Sequence, residues 1–214
     1  MTREEALKTA KPILFNTEMV RAILGGRKTV TRRVIKPHFR ENERGFFTAT
    51  IAGQLFLCYS DEDGNETRRV KAPYQVGDIL YVREAFWHGV DDVYEYKADY
   101  ETDMGYIWSP SIHMPKEAAR IFLRVTDVRA ERLQNITEEQ AIYEGIEPHI
   151  ILSNRVGDIT EYRIPGTHDE CPTARGAFSH LWNSTVKKPD INQYGWEANP
   201  WIFSVEFERI EIDQ

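Results

Sequence analysis

The basic segment at residues 23–37, ILGGRKTVTRRVIKP, places Lys28 and Thr31 three residues apart. A threonine hydroxyl is a poor nucleophile unless a neighbouring base accepts its proton, and a lysine with a lowered pKa can be that base. The two residues could therefore carry nucleophilic catalysis. The same residue types also suit an exposed strand with solvated charges, and their spacing leaves both interpretations open.

Spacing sets a condition on the catalytic interpretation. On a regular strand, side chains three residues apart lie on opposite faces. Lys28 and Thr31 can meet only if Lys28 lies in the turn after Gly26, or if the strand twists or bulges there. A further candidate, Glu144, lies at the predicted end of a short helix, where the helix macrodipole disfavours a carboxylate. This position is a weak indication of function, and a solvated surface glutamate is the alternative.

The positive charge of this segment contrasts with the formal net charge of −7 on the 214-residue chain. No acidic residue occurs between Glu18 and Glu41, where lysines and arginines are frequent. The acidic total argues against a protein that coats duplex nucleic acid through bulk charge, but it leaves room for a local basic site. Basic residues that protect an exposed sheet edge are the alternative.

The sequence gives little indication of a metal or an organic cofactor. His168 and Cys171 lie three residues apart, but no paired Cys-x-x-Cys or His-x-x-x-His spacing occurs, so a zinc site is not expected. The phosphate-binding P-loop, the dinucleotide glycine fingerprint and the Gly-x-Ser-x-Gly elbow are also absent. We therefore expect no metal and no cofactor.

Composition favours a folded protein of the cytoplasm. Apolar residues make up 41% of the chain and aromatic residues 12%, as in globular domains. The first residues, MTREEALKTAKP, lack the apolar core of a signal peptide. No apolar run approaches the roughly 20 residues that span a bilayer, so no membrane association is expected. Two cysteines are too few for a disulfide framework and are expected to be reduced.

Local patterns predict the elements that must position these residues. Asn16 or Thr17 caps a helix that ends at Gly25-Gly26, and residues 28–36 alternate as a strand. Residues 46–70 are typical of one or two β-hairpins, with DEDGN as a turn. Further elements are predicted as strands at 79–82, 119–133 and 201–207, as helices at 137–145 and 173–185, and as a bulge after residue 207.

Taken together, these segments resemble an ASCH domain of the PUA-like superfamily, of the longer kind commonly encoded by phages and prophages. The resemblance covers nearly the whole chain as one domain, residues 1–214, with variable insertions at about 38–74 and 147–172. It implies an α+β fold, a mixed β-barrel with short helices packed on it and inserted hairpin and loop segments. The matching pieces are ILGGRKTVTRR, VGDILYVRE, WSPSIHMPKEAARIFLRVTDV, VTDVRAERLQNITEEQAIYEGI and NPWIFSVEFERI.

The resemblance also implies an activity. The best-characterised enzyme activity of the family is an amidohydrolase that removes the acetyl group of N(4)-acetylcytidine with a lysine, a threonine and a glutamate. Its Gly-Arg-Lys-Thr-Ile-Thr motif falls on GRKTVT here, which implies Lys28 as the activating residue and Thr31 as the nucleophile. Its glutamate falls on Glu144 in AIYEGI, which would be the general acid and base. The expected partner is a modified nucleoside or RNA.

Other residues are expected to bind the substrate. Arg27, Arg33 and Arg83 would hold phosphate or stabilise an oxyanion. Trp108, among loop residues, could stack on a base, and His113 belongs to the same expected site.

Two alternatives use the same basic segment. A non-catalytic RNA-binding module would use Trp108 and Trp87 as stacking surfaces, and a metal-independent ribonuclease would use Lys28 and Glu144. An enclosed cleft sized for one nucleoside would favour the amidohydrolase, whereas an open basic groove would favour RNA binding or cleavage.

Overall fold

The structure, a computed structural model, describes residues 2–36, 43–90, 93–102, 105–151 and 159–212. These residues form an α+β fold with four β-sheets and a few short helices, so the α+β part of the predicted fold class is confirmed. The strands are β1 (Lys11–Leu14), β2 (Val30–Val34), β3 (Gly45–Ile51), β4 (Gln54–Ser60), β5 (Glu66–Lys71), β6 (Ile79–Arg83), β7 (Phe86–His88), β8 (Tyr94–Tyr96), β9 (Phe122–Arg132), β10 (Glu147–Ile151), β11 (Ile159–Arg163), β12 (Glu170–Cys171) and β13 (Trp201–Ile210).

The helices begin and end where local sequence signals place them. Asn16 caps the second helix by accepting a 2.8 Å hydrogen bond from the Met19 amide. Thr137 and Gln140 form the predicted capping box of the third. Among the described residues, no helix is both long enough and apolar enough to cross a bilayer. The helices are α1 (Arg3–Thr9), α2 (Thr17–Leu24), α3 (Glu138–Tyr143), α4 (Ala174–Thr185) and α5 (Ile191–Tyr194).

The central sheet has five strands in the order β1-β6-β9-β13-β2. Strands β1 and β6 are parallel, and the other neighbours are antiparallel. The register between β9 and β13 shifts at Glu206/Phe207, which confirms the predicted bulge one residue earlier than expected. Strand β2 is shorter than the predicted alternation over residues 28–36, because Lys28 and Thr29 lie in the turn that precedes it.

Each of the two expected insertions contains a small sheet. The first holds the predicted hairpins, β3-β4-β5. Residues 147–172, expected to be irregular, instead contain the antiparallel sheet β10-β11-β12. The β-forming residues Ile150 and Ile151 of the first strand and Ile159, Thr160 and Tyr162 of the second favour this pairing.

The central sheet is covered on both faces. One face packs on α2 and on β4 through a buried cluster that includes Phe15, Ile23, Leu57, Leu123 and Phe203. A second cluster joins the opposite face of β13 to α3 and α4, and a third covers β6 and β9 with α1. Strand β13 is paired on both sides and covered on both faces, so four consecutive side chains, residues 202–205, are buried.

Side chains join the two edge strands of this sheet. The Arg33 guanidinium on β2 donates through Nη2 to the Leu14 carbonyl of β1, at 3.0 Å. The Tyr74 hydroxyl donates to the Pro12 carbonyl of the same strand, at 2.8 Å. The edges β1 and β2 therefore approach each other, although no ladder of main-chain hydrogen bonds pairs them in the described part of the chain.

A glycine after α3 brings the end of that helix against the end of α2. Gly145 has φ +103°, a backbone conformation that residues with a Cβ rarely adopt. A Cβ built on Gly145 would lie 3.1 Å from the Ala22 Cβ and 3.6 Å from the Lys28 Cβ. Both the conformation and the close approach therefore require glycine here.

We expect Gly145→Ala to lower the free energy of unfolding by about 2 kcal/mol, from backbone strain and from contact with Ala22. Gly64→Ala is the matched control, because Gly64 also has positive φ (+82°) but a Cβ built there would have no neighbour within 4 Å. That control should cost about 1 kcal/mol, from strain alone. Urea unfolding measures both, and equal losses would show that the contact with Ala22 is unimportant.

Candidate active site

Main-chain hydrogen bonds fix the turn that carries Lys28. The Ala22 carbonyl at the end of α2 accepts from the amides of Arg27 (2.8 Å) and Lys28 (3.0 Å). The Thr29 amide donates to the Tyr143 carbonyl of α3 at 2.9 Å, which ties the turn to that helix. Lys28 therefore lies in the turn before β2, as the spacing condition requires.

The Lys28 ammonium is fully buried and makes three hydrogen bonds. Its Nζ donates to the Val30 carbonyl at 2.8 Å, to the Glu144 carbonyl at 2.9 Å and to Glu144 Oε2 at 2.6 Å. The exposed fractions of the Lys28 and Glu144 side chains are 0% and 4%. Three acceptors match the three protons of an ammonium group, so the surroundings fit the charged form.

Arg32 binds the other oxygen of the Glu144 carboxylate. Its Nη1 donates to Glu144 Oε1 at 3.1 Å, and its Nη2 donates at 3.1 Å to both Glu131 Oε1 and Gln140 Oε1. The guanidinium is buried, and its Nε–H has no hydrogen-bond partner among the described residues. Two cations, Lys28 and Arg32, are thus balanced by two carboxylates, Glu144 and Glu131.

This arrangement explains why a carboxylate lies at the end of α3. Glu144 caps the helix C-terminus, where the macrodipole disfavours negative charge. Two buried cations offset that penalty, and removing one partner from such a buried ion pair typically costs 3–5 kcal/mol, taken as about the same here. Glu144 is therefore a structural partner of Lys28 as well as a candidate acid or base.

The pKa of Lys28 lies below its usual range. Burial is the main cause, because it disfavours the charged amine. The Glu144 carboxylate raises the pKa and opposes burial, whereas the neighbouring Arg33 and Arg32 lower it further. Lys28 thus loses its proton more easily than an exposed lysine.

Thr31 and Glu144 line the same small cavity. Its volume is about 60 Å³, and its other walls come from β2 and α4. Since one water occupies about 30 Å³ in the liquid, the cavity has room for about two waters or an acyl group, not for a nucleoside. Its lining residues are Met19, Thr31, Arg32, Arg33, Glu144, Phe178, Leu181, Trp182 and Thr185.

The structure brings Lys28 and Glu144 into contact and places Thr31 beside Glu144, but it does not join Thr31 to Lys28. No hydrogen bond links these two side chains in the described part of the chain, and Lys28 does not line the cavity. The Lys28 ammonium bonds the carbonyl of Val30, the residue before Thr31. The predicted activation of Thr31 by Lys28 therefore needs a shift of one side chain.

A larger cleft of about 300 Å³ adjoins the cavity and shares Arg32, Arg33, Trp182 and Thr185 with it. Arg33 is the predicted binding residue that lies at this junction. Its guanidinium lies over the Phe15 ring at 5.5 Å, the same ring that the Lys28 ammonium approaches at 5.7 Å. Arg33 thus links the buried ion pair to the cleft.

The other predicted arginines lie elsewhere. Arg27 is exposed and lines a different cavity of about 230 Å³, with Glu18, Glu147 and Arg163. Arg83 donates to the main-chain carbonyls of Met114 (3.1 Å) and Ile112, so it anchors that loop. Neither side chain lines the cavity of Thr31 and Glu144.

Trp108 and His113 are also absent from the cavity lining. Trp108 packs in an aromatic cluster with Tyr100 and Tyr106, with ring centroids 5.6 and 5.1 Å apart, and Trp87 packs on Tyr106 at 5.0 Å. His113 is exposed in a single 3₁₀ turn. The expected stacking surface and the Lys28–Glu144 pair therefore occupy separate places.

Sequence reasoning misses Arg32 and the aromatic wall of α4 as parts of the site. Because Arg32 lies in the basic segment, the sequence groups it with solvated charges. In the structure it is buried and bound to Glu144. No local signal in the sequence distinguishes Arg32 from its neighbours, because Lys28 lies in the turn before β2 and strand alternation does not relate the two side chains. Helical period alone assigns Phe178 and Trp182 to the core.

No described group of three or more His, Cys, Asp or Glu side chains is arranged to hold a metal ion. Comparisons with protein-family models, with curated proteins and with solved structures found no match to the chain. Function is therefore inferred from the site geometry and from the sequence resemblance.

If the buried pair is as strongly coupled as its geometry indicates, Glu144→Gln should lower the free energy of unfolding by about 3 kcal/mol. Adding Lys28→Met to Glu144→Gln should recover part of this loss, because the double variant no longer contains the unpaired ammonium. The coupling energy between the two positions should be about 1 kcal/mol or more. Urea unfolding of the parent protein, the two single variants and the double variant measures this coupling energy.

Glu4→Gln is the control for this cycle. The Glu4–Lys8 pair has a similar distance, 3.0 Å, but its side chains are mostly exposed, at 82% and 68%. Loss of this exposed ion pair should leave the free energy of unfolding nearly unchanged. An effect of Glu144→Gln no larger than that of Glu4→Gln would contradict the importance of the buried pair.

Proposed function

We propose that this protein is an ASCH-domain amidohydrolase that removes the acyl group of an N(4)-acylated cytidine or a related modified nucleoside. One observation carries the proposal. A lysine and a glutamate form a fully buried ion pair, and the glutamate lines one cavity with a threonine. These are the three residues that the resemblance assigns to catalysis.

The fold supports the same family. We propose that the central sheet is the mixed barrel of a PUA-like domain, with edges β1 and β2 joined through the Arg33 side chain and with Tyr74, from the segment after β5, bonded to β1. The buried cluster that includes Phe15, Leu123 and Phe203 would be its interior. Helices α2, α3 and α4 then pack around the site, and the sheets at 45–71 and 147–171 are additions to the common domain.

The short Lys28–Glu144 hydrogen bond offers a route to the neutral lysine. When a proton moves from Nζ to Oε2 along this bond, both groups become neutral, and burial favours that exchange. After the side-chain shift that brings the two groups together, neutral Lys28 accepts the proton of the Thr31 hydroxyl as its oxygen attacks the acyl carbon. Meanwhile Glu144 holds a proton that faces the same cavity.

Collapse of the tetrahedral intermediate completes the transfer. The bond between the acyl carbon and N(4) breaks, the departing amine takes the proton from Glu144, and the acyl group remains as an ester on Thr31. At this point Lys28 is again an ammonium and Glu144 a carboxylate. Water then attacks the ester carbon, the bond to the Thr31 oxygen breaks, the acyl group leaves as a carboxylic acid, and the Thr31 oxygen takes a proton from the water to restore its hydroxyl. Protons balance in this cycle, because Lys28 gives one proton to Glu144 and receives one proton from Thr31.

Arg32 can stabilise the oxyanion of this intermediate. Arg32 lines the cavity, and its buried Nε–H has no partner among the described residues, so a side-chain movement that exposes this N–H would let a substrate oxygen accept from it. The predicted oxyanion residues Arg27 and Arg83 do not line this cavity, whereas Arg32 and Arg33 do. We therefore assign the oxyanion contact to Arg32 and the outer binding role to Arg33.

The volumes agree with an acyl group as the buried part of the substrate. About 60 Å³ beside Thr31 and Glu144 suits an acetyl group, and the adjoining 300 Å³ cleft suits the rest of a nucleoside. The alternative of an RNA-binding module relies on stacking by Trp87 and Trp108, neither of which lines these cavities. A catalytic site therefore accounts for more of the observed arrangement.

Substitution of the catalytic residues should stop hydrolysis while leaving the fold intact. We expect Thr31→Ala to reduce kcat/KM for N(4)-acetylcytidine about a thousandfold or more, and Thr31→Ser to retain turnover because a hydroxyl remains. Lys28→Arg should be as inactive as Thr31→Ala, because a guanidinium cannot act as a base. Release of cytidine by chromatography measures all three.

Thr29→Ala is the matched control, since Thr29 lies in the same motif but does not line the cavity. It should hydrolyse the substrate at the parent rate. If Lys28→Arg hydrolyses the substrate at the parent rate, Lys28 is not the base and contributes only its positive charge. If the parent protein releases no cytidine from any N(4)-acylcytidine, the amidohydrolase proposal is wrong.

The pH dependence should follow the lowered pKa of Lys28. In the proposed mechanism the pair keeps one proton, which Glu144 passes to the departing amine, so kcat/KM should be lost as the pH rises through the folded pKa of Lys28, with a midpoint below the ordinary value of about 10.4. Arg33 is one of the cations that lower this pKa, so Arg33→Gln should move the midpoint to higher pH. Arg27→Gln, which changes an exposed charge, should leave the midpoint in place. A midpoint unmoved by Arg33→Gln would show that the loss of activity at high pH does not arise from Lys28.

A further inference from the structure

The cleft beside the cavity is positively charged at the end opposite Thr31 and Glu144. It lies between β2 and the segment that follows α4, and its volume is about 300 Å³. Cavity and cleft share four lining residues, so a molecule that enters the cavity extends along the cleft. The cleft is lined by Arg32, Arg33, Val34, Lys36, Trp182, Thr185, Val186, Lys187, Asp190 and Tyr194.

The cations at this end are weakly neutralised. The Lys187 ammonium makes no ion pair or hydrogen bond with any described residue, and Arg33 bonds a main-chain carbonyl rather than a carboxylate. Lys36 lies 3.8 Å from Asp190, at the outer limit of an ion pair, and 4.6 Å from the Tyr194 ring centroid. Among the described residues of the cleft, Lys36 and Lys187 at this end face one carboxylate, and Arg33 adds a third cation at the junction with the cavity, in a chain whose net charge is −7.

The wall between the cavity and this end is apolar and held in place. Trp182 is almost fully buried, and its indole N–H donates to the Tyr194 carbonyl at 2.8 Å. Its fixed ring and the Val34 and Val186 side chains offer a surface for a base or a sugar rather than for another charge. The cleft thus offers apolar side chains as well as cations, next to a cavity that contains the buried carboxylate.

We propose that the cleft binds the phosphate of a nucleotide whose acylated base enters the cavity, so that the substrate is a nucleotide or a nucleotide within a polynucleotide rather than a free nucleoside. This inference rests on the proposed function, which places the acyl end beside Thr31. Lys187 and Lys36 bind the phosphate, and Arg33 contacts it from the cavity side. A free nucleoside leaves these cations without an anion.

Binding tests this proposal without any need for turnover. Titration calorimetry compares cytidine, cytidine 5′-monophosphate, cytidine 3′-monophosphate and a short single-stranded oligonucleotide with one central cytidine. We expect at least one phosphate-bearing probe to bind about tenfold more tightly than cytidine, as for one or two charge-assisted contacts. Tighter binding of a mononucleotide identifies that source of phosphate, and tighter binding of the oligonucleotide identifies the polynucleotide.

Lys187→Ala should remove most of this gain and leave cytidine binding unchanged. Lys188→Ala is the matched control, because its exposed lysine is adjacent in sequence but does not line the cleft. The gain should also decline with added salt. Equal binding of cytidine and every phosphate-bearing probe, no binding of any of them, or an equal effect of the two lysine variants overturns the inference. Hydrolysis of N(4)-acetylcytidine with no gain from phosphate overturns it and leaves the amidohydrolase in place.

Discussion

The carboxylate of Glu144 binds two buried cations, and two distant parts of the chain meet around it. Lys28 comes from the turn before β2, Arg32 from β2 itself, and Glu144 from the end of α3. Burying these charges is unfavourable unless each finds its partners, so the turn, the strand and the helix end must be placed together. Gly145 permits the approach because a side chain there would contact Ala22 and Lys28.

The same cluster that restricts the fold also creates reactivity. Burial lowers the pKa of Lys28, while a 2.6 Å hydrogen bond to Glu144 gives its proton a place to go. The carboxylate faces a cavity that is also lined by Thr31 and by Arg32, whose Nε–H finds no partner among the described residues. The proposed function gives the Thr31 hydroxyl and the unpartnered Arg32 donor a use that stability alone does not.

Local sequence signals predicted most elements but not their assembly. The Asn16 cap, the Thr137–Gln140 capping box and the DEDGN turn depend on neighbouring residues, and the structure contains all of them. The contact between Lys28 and Glu144 spans 116 residues, so spacing could not predict it, and it was expected from the family resemblance alone. The roles expected of Arg27 and Arg83 followed from charge, which does not tell a buried arginine such as Arg32 from one that anchors a loop.

Direct detection of an acyl ester on Thr31 tests the central claim. The protein is mixed with N(4)-acetylcytidine, quenched with acid during the first turnovers, digested and examined by mass spectrometry. The account predicts one added acetyl group on the peptide that contains Thr31, formed at the rate of cytidine release and absent from the peptide of Thr31→Ala. Cytidine release without acetyl on Thr31, acetyl on another residue at that rate, or no reaction at all would contradict it.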